Sequence, residues 1–173
     1  IAAGEVIENA SSVIKELVEN ALDAKASYIK IETVSSGQGF IAVRDNGIGM
    51  SVEDMHLSLE RHATSKIKNF DDLYSLRSLG FRGEALPSIA SISKLKLISS
   101  NGKHLGYSLF LEGGVLTKEE VFSRNQGTCV EVATLFFNVP VRKKFQKKPR
   151  SDFIRIRRLL EDMLLTQDNV GWE

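Results

Sequence analysis

The chain has a single cysteine, Cys129, in 173 residues. A lone thiol excludes an internal disulfide framework and any cysteine-rich metal site, and it accords with a reducing compartment. Long apolar runs are missing too. None approaches the roughly 20 residues of a membrane span, and the N-terminus lacks the charged-then-apolar layout of a secretory leader. These absences predict a soluble, intracellular chain with no membrane partner. No Gly-Lys-Ser or Gly-Lys-Thr occurs, so the P-loop and its lysine are excluded and any nucleotide must be held in another way. Repeats and low-complexity tracts are lacking. So is an initiator Met: the chain opens abruptly on IAAGEVI, from which a missing upstream segment is expected.

With 42% hydrophobic and 26% charged residues, the chain suits one globular domain able to bury a core. Net charge is only +1, but it is unevenly spread. Between Arg142 and Arg158 nine basic residues face Asp152 alone, a local +8 against −7 elsewhere. Such a concentration suits either a solvated basic surface or contact with a polyanion, with Arg142, Lys143, Lys144, Lys147 and Lys148 as candidate nucleic-acid contacts.

The informative stretch is VIKELVENALD, Val13 to Asp23. Val13, Ile14, Leu17, Val18, Ala21 and Leu22 form one apolar stripe at helical period and predict a helix over 10–24, capped by Ser11 or Ser12. On another face Glu16, Asn20 and Asp23 follow at i, i+4 and i+7. Asn is a poor residue for a helix interior because its amide competes for backbone hydrogen bonds. By itself the face is either a solvated one or one with a task other than helix formation.

Alternation predicts a strand at 28–34, a turn at 35–39 and a returning strand at 40–44. The second strand runs into Asp45-Asn46-Gly47-Ile48-Gly49-Met50, where glycines allow close backbone approach to a ligand while the carboxylate points at it. The same pattern is common in ordinary turns; as a ligand, adenine fits, because its exocyclic amine donates and a carboxylate accepts. A short helix is expected at 51–61 and a closing loop at 62–79. Glycines 80 and 83 then lead into an apolar run at 85–92, an arrangement that offers N–H groups to phosphate. Four strands (95–99, 106–112, 115–122, 127–135), a loop at 136–141 and an amphipathic helix at about 152–165 complete the prediction. That last helix would carry Phe153, Ile156, Leu159, Leu160, Met163 and Leu164 on one face.

In order along the chain, IAAGEV, KELVENALDA, RDNGIGM, RHATSKI, LGFRGEAL, Gly127-Thr128 and NVPVRKKF resemble the motifs of the MutL mismatch-repair family. That family belongs to the GHKL group of ATP-binding modules, with gyrase, histidine kinases and the large heat-shock chaperone. The resemblance covers nearly the whole chain. It implies an α+β, two-layer sandwich of the Bergerat type, with a mixed, mostly antiparallel sheet covered by helices on one face and ATP and Mg²⁺ held beneath a lid. Carried over, Glu16 is the catalytic base and Asn20 the Mg²⁺ ligand. Asp45 meets the adenine amine, with Gly49 and Thr128 lining the base pocket. Gly80, Phe81, Arg82 and Gly83 hold the phosphates, with Thr64, Ser65 and Lys66 helping from the lid.

The implied partners are ATP-dependent homodimers or paralogue heterodimers, a MutS-type mismatch-recognition protein, a strand-cleaving endonuclease or helicase, and nonspecific DNA. The implied setting is the cytoplasm of a bacterium or the nucleus of a eukaryote. Residues 1–173 would be one ATPase domain truncated at its N-terminus, with 167–173 starting the connection to a second domain. Lys25, Ala10 and Cys129 stand where the family more often has Gly, Pro and Thr. A gyrase- or kinase-type ATP module and a DNA-binding module with an inactive nucleotide site are the rival readings.

Overall fold

The structure, a computed structural model, describes residues 7–60, 84–146 and 148–173. Among these the element order is α1 (Ala10–Asp23), β1 (Tyr28–Val34), β2 (Phe40–Asp45), α2 (Val52–Ser58), α3 (Ala85–Ser91), β3 (Lys94–Ser100), β4 (Gly106–Glu112), β5 (Val115–Phe122), β6 (Gly127–Ala133), α4 (Pro140–Lys144), α5 (Pro149–Thr166) and β7 (Gly171–Trp172). The strands form one sheet in the order β5-β4-β3-β6-β2-β1-β7. All pairings are antiparallel except β1 with β7. This is the expected α+β fold with a mixed, mostly antiparallel sheet.

Register explains where the core and the site lie. Ile31, Val43, Val130, Leu97 and Leu109 are successive cross-strand partners, and Ile41, Val132, Leu95 and Leu111 form the next row on that face. Both rows join the core cluster with Val13, Ile14, Leu17, Val18 and Ala21 of α1, so α1 lies on this face. Each large apolar side chain so buried stabilises the fold by about 1.5–3 kcal/mol. Continuing the two-residue period, the third row is polar: Asp45, Thr128 and Ser99 occupy the same face at one end of the sheet. The opposite face carries ion pairs, Arg44 with Glu32 at 3.3 Å and with Glu131 at 3.7 Å.

Several local expectations need correction. Helix α1 is capped by Asn9, whose Oδ1 accepts from the Ser12 amide at 3.1 Å; Ser12 is the donor rather than the cap. Helix α2 is shorter than expected and is capped by Ser51, which accepts from the Asp54 amide. The supposed loop at 136–141 enters α4 at Pro140, whose fixed φ suits a first helical turn. On α5, Ile156 is buried and Leu159, Leu160 and Met163 pack on the core. Phe153 and Leu164 do not share that face and are 56% and 48% exposed. Strand β7 carried no periodic signal.

Candidate functional site

Helix α1 ends in a Schellman motif: the Ala26 amide donates to the Ala21 carbonyl and the Lys25 amide to the Leu22 carbonyl. The turn needs a left-handed residue, and Lys25 supplies it at φ +61°. The chain therefore keeps the turn that glycine would favour and bears the strain. The Ile48 amide then donates to the Ala24 carbonyl at 2.9 Å, docking the turn after β2 onto the end of α1. Asn46 locks the same junction, its Oδ1 accepting from the Ser27 and Tyr28 amides. Asn46 is thus a structural member of the motif.

Asp45 is 8% exposed. Its Oδ1 accepts from the Gly47 amide at 2.8 Å and the Thr128 amide at 3.3 Å. Among the described residues no hydrogen bond ends on Oδ2. Burial raises the carboxyl pKa above its usual value, opposed by the two amides and by Arg124. Arg124 donates to the Asp45 carbonyl at 3.4 Å and the Ile98 carbonyl at 3.5 Å, spanning the gap where β6 begins.

Gly49 and Gly127 are required here. Gly49 has φ +66°, and a Cβ on it would meet the Ser100 carbonyl oxygen at 1.9 Å. Gly127, at φ +126°, would meet the Asp45 carbonyl oxygen at 2.1 Å. The backbone of the turn, β3 and β6 is packed too closely for any side chain at either position.

Glu16, Asn20 and Asp23 lie half-buried along α1, with Cβ atoms one turn apart at about 5–6 Å by helical geometry. Glu19 is the buried carboxylate of the helix, 3.7 Å from Lys15, and burial raises its pKa. Among the described residues no group of three or more His, Cys, Asp or Glu is arranged to hold a metal ion.

Of the expected site residues, the structure brings Asp45, Gly49 and Thr128 together, with Glu16 and Asn20 on the helix that docks against their turn. Thr64, Ser65, Lys66, Gly80, Phe81, Arg82, Gly83 and Lys147 lie outside the described residues. Arg142 is engaged within the fold, donating to the Ile7 carbonyl at 3.1 Å and lying over the Phe136 ring. Lys143, Lys144 and Lys148 are exposed. A groove of about 370 Å³ between Glu8, Asn9, Arg142, Phe145, Asp152 and Arg155 lies at the N-terminal end of α1, away from Asp45. Cys129 is buried in β6 and burial pushes its thiol pKa up to about 11, so it is a small strand residue and no nucleophile.

Sequence reasoning missed Ser99 and Arg124. Ser99 Oγ accepts from the Met50 amide at 2.9 Å and contacts Thr128 Oγ1 at 2.8 Å, tying the turn after β2 to β6. Neither residue belongs to a motif, and only the strand register brings them to Asp45.

A mixed sheet, helices on one face and a buried acid at the sheet's end beside a glycine turn define a nucleotide-binding α+β module. The chain belongs to the histidine kinase-, DNA gyrase B-, and HSP90-like ATPase family, whose model matches residues 7–134. Within that family its likeness is to MutL. It is 55% identical over 172 residues to the DNA mismatch repair protein MutL of Chlamydia caviae, covering 99% of this chain and 30% of that protein. The ADP-complexed MutL ATPase domain of Aquifex aeolicus superposes with a TM-score of 0.75 at 35% identity, covering 96% of this chain and 59% of that one. The N-terminal domain of a DNA repair protein gives a TM-score of 0.82 at 31% identity, over 98% of this chain and 49% of that one. The chain thus spans under a third of the length of the curated relatives.

Proposed function

We propose that this chain is the ATP-binding and hydrolysing domain of a MutL-type mismatch-repair protein. The observation that carries the reading is Asp45, buried at the end of β2 and held by its Oδ1. Its Oδ2 is left to accept from an exocyclic amine such as that of adenine. Support comes also from the ADP bound by the Aquifex aeolicus relative.

Glu16 would take the proton of the attacking water as general base, since helical spacing sets it beside Asn20. The half-buried Asn20 on α1 offers an amide oxygen, a hard donor suited to Mg²⁺, which would be held by that oxygen and the phosphates. When bound, it supplies charge neutralisation to the phosphates. Gly80, Phe81, Arg82 and Gly83 would offer donors to them, with Thr64, Ser65 and Lys66 closing from the lid. ATP-driven closure and dimerisation would then couple mismatch recognition by a MutS-type partner to strand processing by an endonuclease or helicase. Exposed Lys143, Lys144 and Lys148, with Lys147, would contact DNA.

Calorimetric titration of ATP with Mg²⁺ into the full-length protein tests the reading. Saturable binding is expected, lost at least a hundredfold in Asp45→Ala. A folded wild-type protein that binds no ATP would overturn it.

A further inference from the structure

We propose that Ser99 sets the base specificity of the nucleotide site by fixing the direction of the Thr128 hydroxyl. This rests on the adenine reading of Asp45 given above.

The argument is an inventory of protons. Ser99 is 1% exposed, and its Oγ has three partners: the Met50 amide at 2.9 Å, the Gly127 carbonyl oxygen at 3.1 Å and Thr128 Oγ1 at 2.8 Å. A serine hydroxyl holds one proton and two lone pairs. The Met50 amide can only donate, so it takes one lone pair. The Gly127 carbonyl can only accept, so it takes the proton. One lone pair of Ser99 then faces Thr128, and the Thr128 hydroxyl must donate into it. No other assignment makes all three contacts hydrogen bonds, and a buried hydroxyl that leaves one unmade is costly.

The single proton of Thr128 is therefore spent inward. On its open side the half-buried Thr128 offers only lone pairs. Its neighbour Asp45, whose Oδ1 is already taken by the Thr128 amide, offers the acceptor Oδ2. The edge formed by the Asp45 and Thr128 side chains thus presents acceptors alone. It suits an exocyclic amine, directly or through a water, and opposes a carbonyl in the same place, as a 6-oxopurine would present. Without the Ser99 hydroxyl, Thr128 could rotate and offer its proton to such a carbonyl. Ser99 is a positioning residue, acting through Thr128, and it excludes the wrong base by polarity rather than by size.

The test measures dissociation constants for non-hydrolysable ATP and GTP analogues with Mg²⁺, using the full-length protein. Wild type is expected to prefer the ATP analogue. Ser99→Ala is expected to reduce that preference about tenfold, mainly by tighter GTP-analogue binding, while Ser99→Thr keeps it. Thr128→Val, which removes the acceptor, is expected to weaken the ATP analogue more than the GTP analogue. A folded Ser99→Ala protein with unchanged preference overturns the role of Ser99 and leaves the adenine reading standing. Wild-type protein that binds both analogues equally, or neither, overturns the adenine reading and this inference with it. Should Ser99→Ala fail to fold, Thr128→Val decides: equal weakening of both analogues overturns the proposal.

Discussion

The Thr128 amide donates to Asp45 Oδ1 across 3.3 Å, joining the start of β6 to the end of β2. Two amides and a nearby guanidinium do not fully offset the desolvation of this carboxylate, because its pKa stays raised. The folded chain therefore holds the proton more tightly than the unfolded one. Asp45's contribution to stability is fully present below the ordinary carboxylate range and is lost as pH rises through the raised value. Asp45→Asn keeps the Oδ1 acceptor and removes the charge. The variant is expected to be more stable than wild type near neutral pH, with the gain shrinking to nothing toward pH 3, and to lose ATP affinity. Denaturant unfolding of both ligand-free proteins across pH checks this; a stability difference that does not grow with pH would contradict the desolvation account.

Glu16 should separate chemistry from binding. In the full-length protein Glu16→Ala is expected to lower ATP turnover by about 10²–10⁴ while the ATP dissociation constant moves only a few-fold. Steady-state turnover alongside calorimetry reads both. Parallel loss of binding would mean that Glu16 holds the nucleotide rather than activating water.

Gly127 couples the pocket to the fold. At φ +126°, with its hypothetical Cβ 2.1 Å from the Asp45 carbonyl oxygen, Gly127→Ala must push β6 from β2 or distort the backbone. Strain alone should cost about 1–3 kcal/mol, read as a lower melting temperature, and ATP affinity should fall because Thr128 and Asp45 separate. A variant of wild-type stability would mean that the strand end yields freely.

Much of this architecture was legible because local pattern and global packing agree. Strands β1, β4 and β5 fall at the bounds expected of them, since Gly113, Gly114 and the turn at 35–39 interrupt the chain where the strands end. The Glu16–Asn20 pair was legible because helical spacing is a property of the chain alone. Ser99 and Arg124 were not, because their meaning depends on β6 lying between β2 and β3, a pairing of residues far apart in sequence. The cap of α1 was misplaced since Asn9, Ser11 and Ser12 all carry capping side chains, and only the geometry shows which accepts. Phe153 and Leu164 share the expected apolar face of α5 in sequence but not the buried one, because that apolar stripe is wider than the face the helix buries.

Lys25 offers a gain in stability. It occupies the left-handed region at φ +61° where α1 turns into β1, and a Cβ there costs energy that glycine avoids. Lys25→Gly is expected to stabilise the fold by up to about 1 kcal/mol, partly offset by the added freedom of glycine when unfolded. Equilibrium unfolding at constant slope would show it as a higher midpoint; a lower midpoint would mean that Lys25 makes an interaction worth more than its strain.

The basic segment should divide into two kinds of residue. Arg142 donates to the Ile7 carbonyl and lies over Phe136, so Arg142→Gln is expected to lower stability by about 1–2 kcal/mol through the unsatisfied carbonyl and lost stacking. Lys143, Lys144 and Lys148 are exposed, and converting them to Gln should leave the melting temperature within a degree or two. If they meet DNA in the full-length protein, each phosphate contact removed should reduce the slope of log affinity against log salt by about 0.9 for duplex DNA. Binding isotherms at several salt concentrations measure that slope. A triple variant with the wild-type slope would place the DNA contacts elsewhere and leave these lysines as a solvated face.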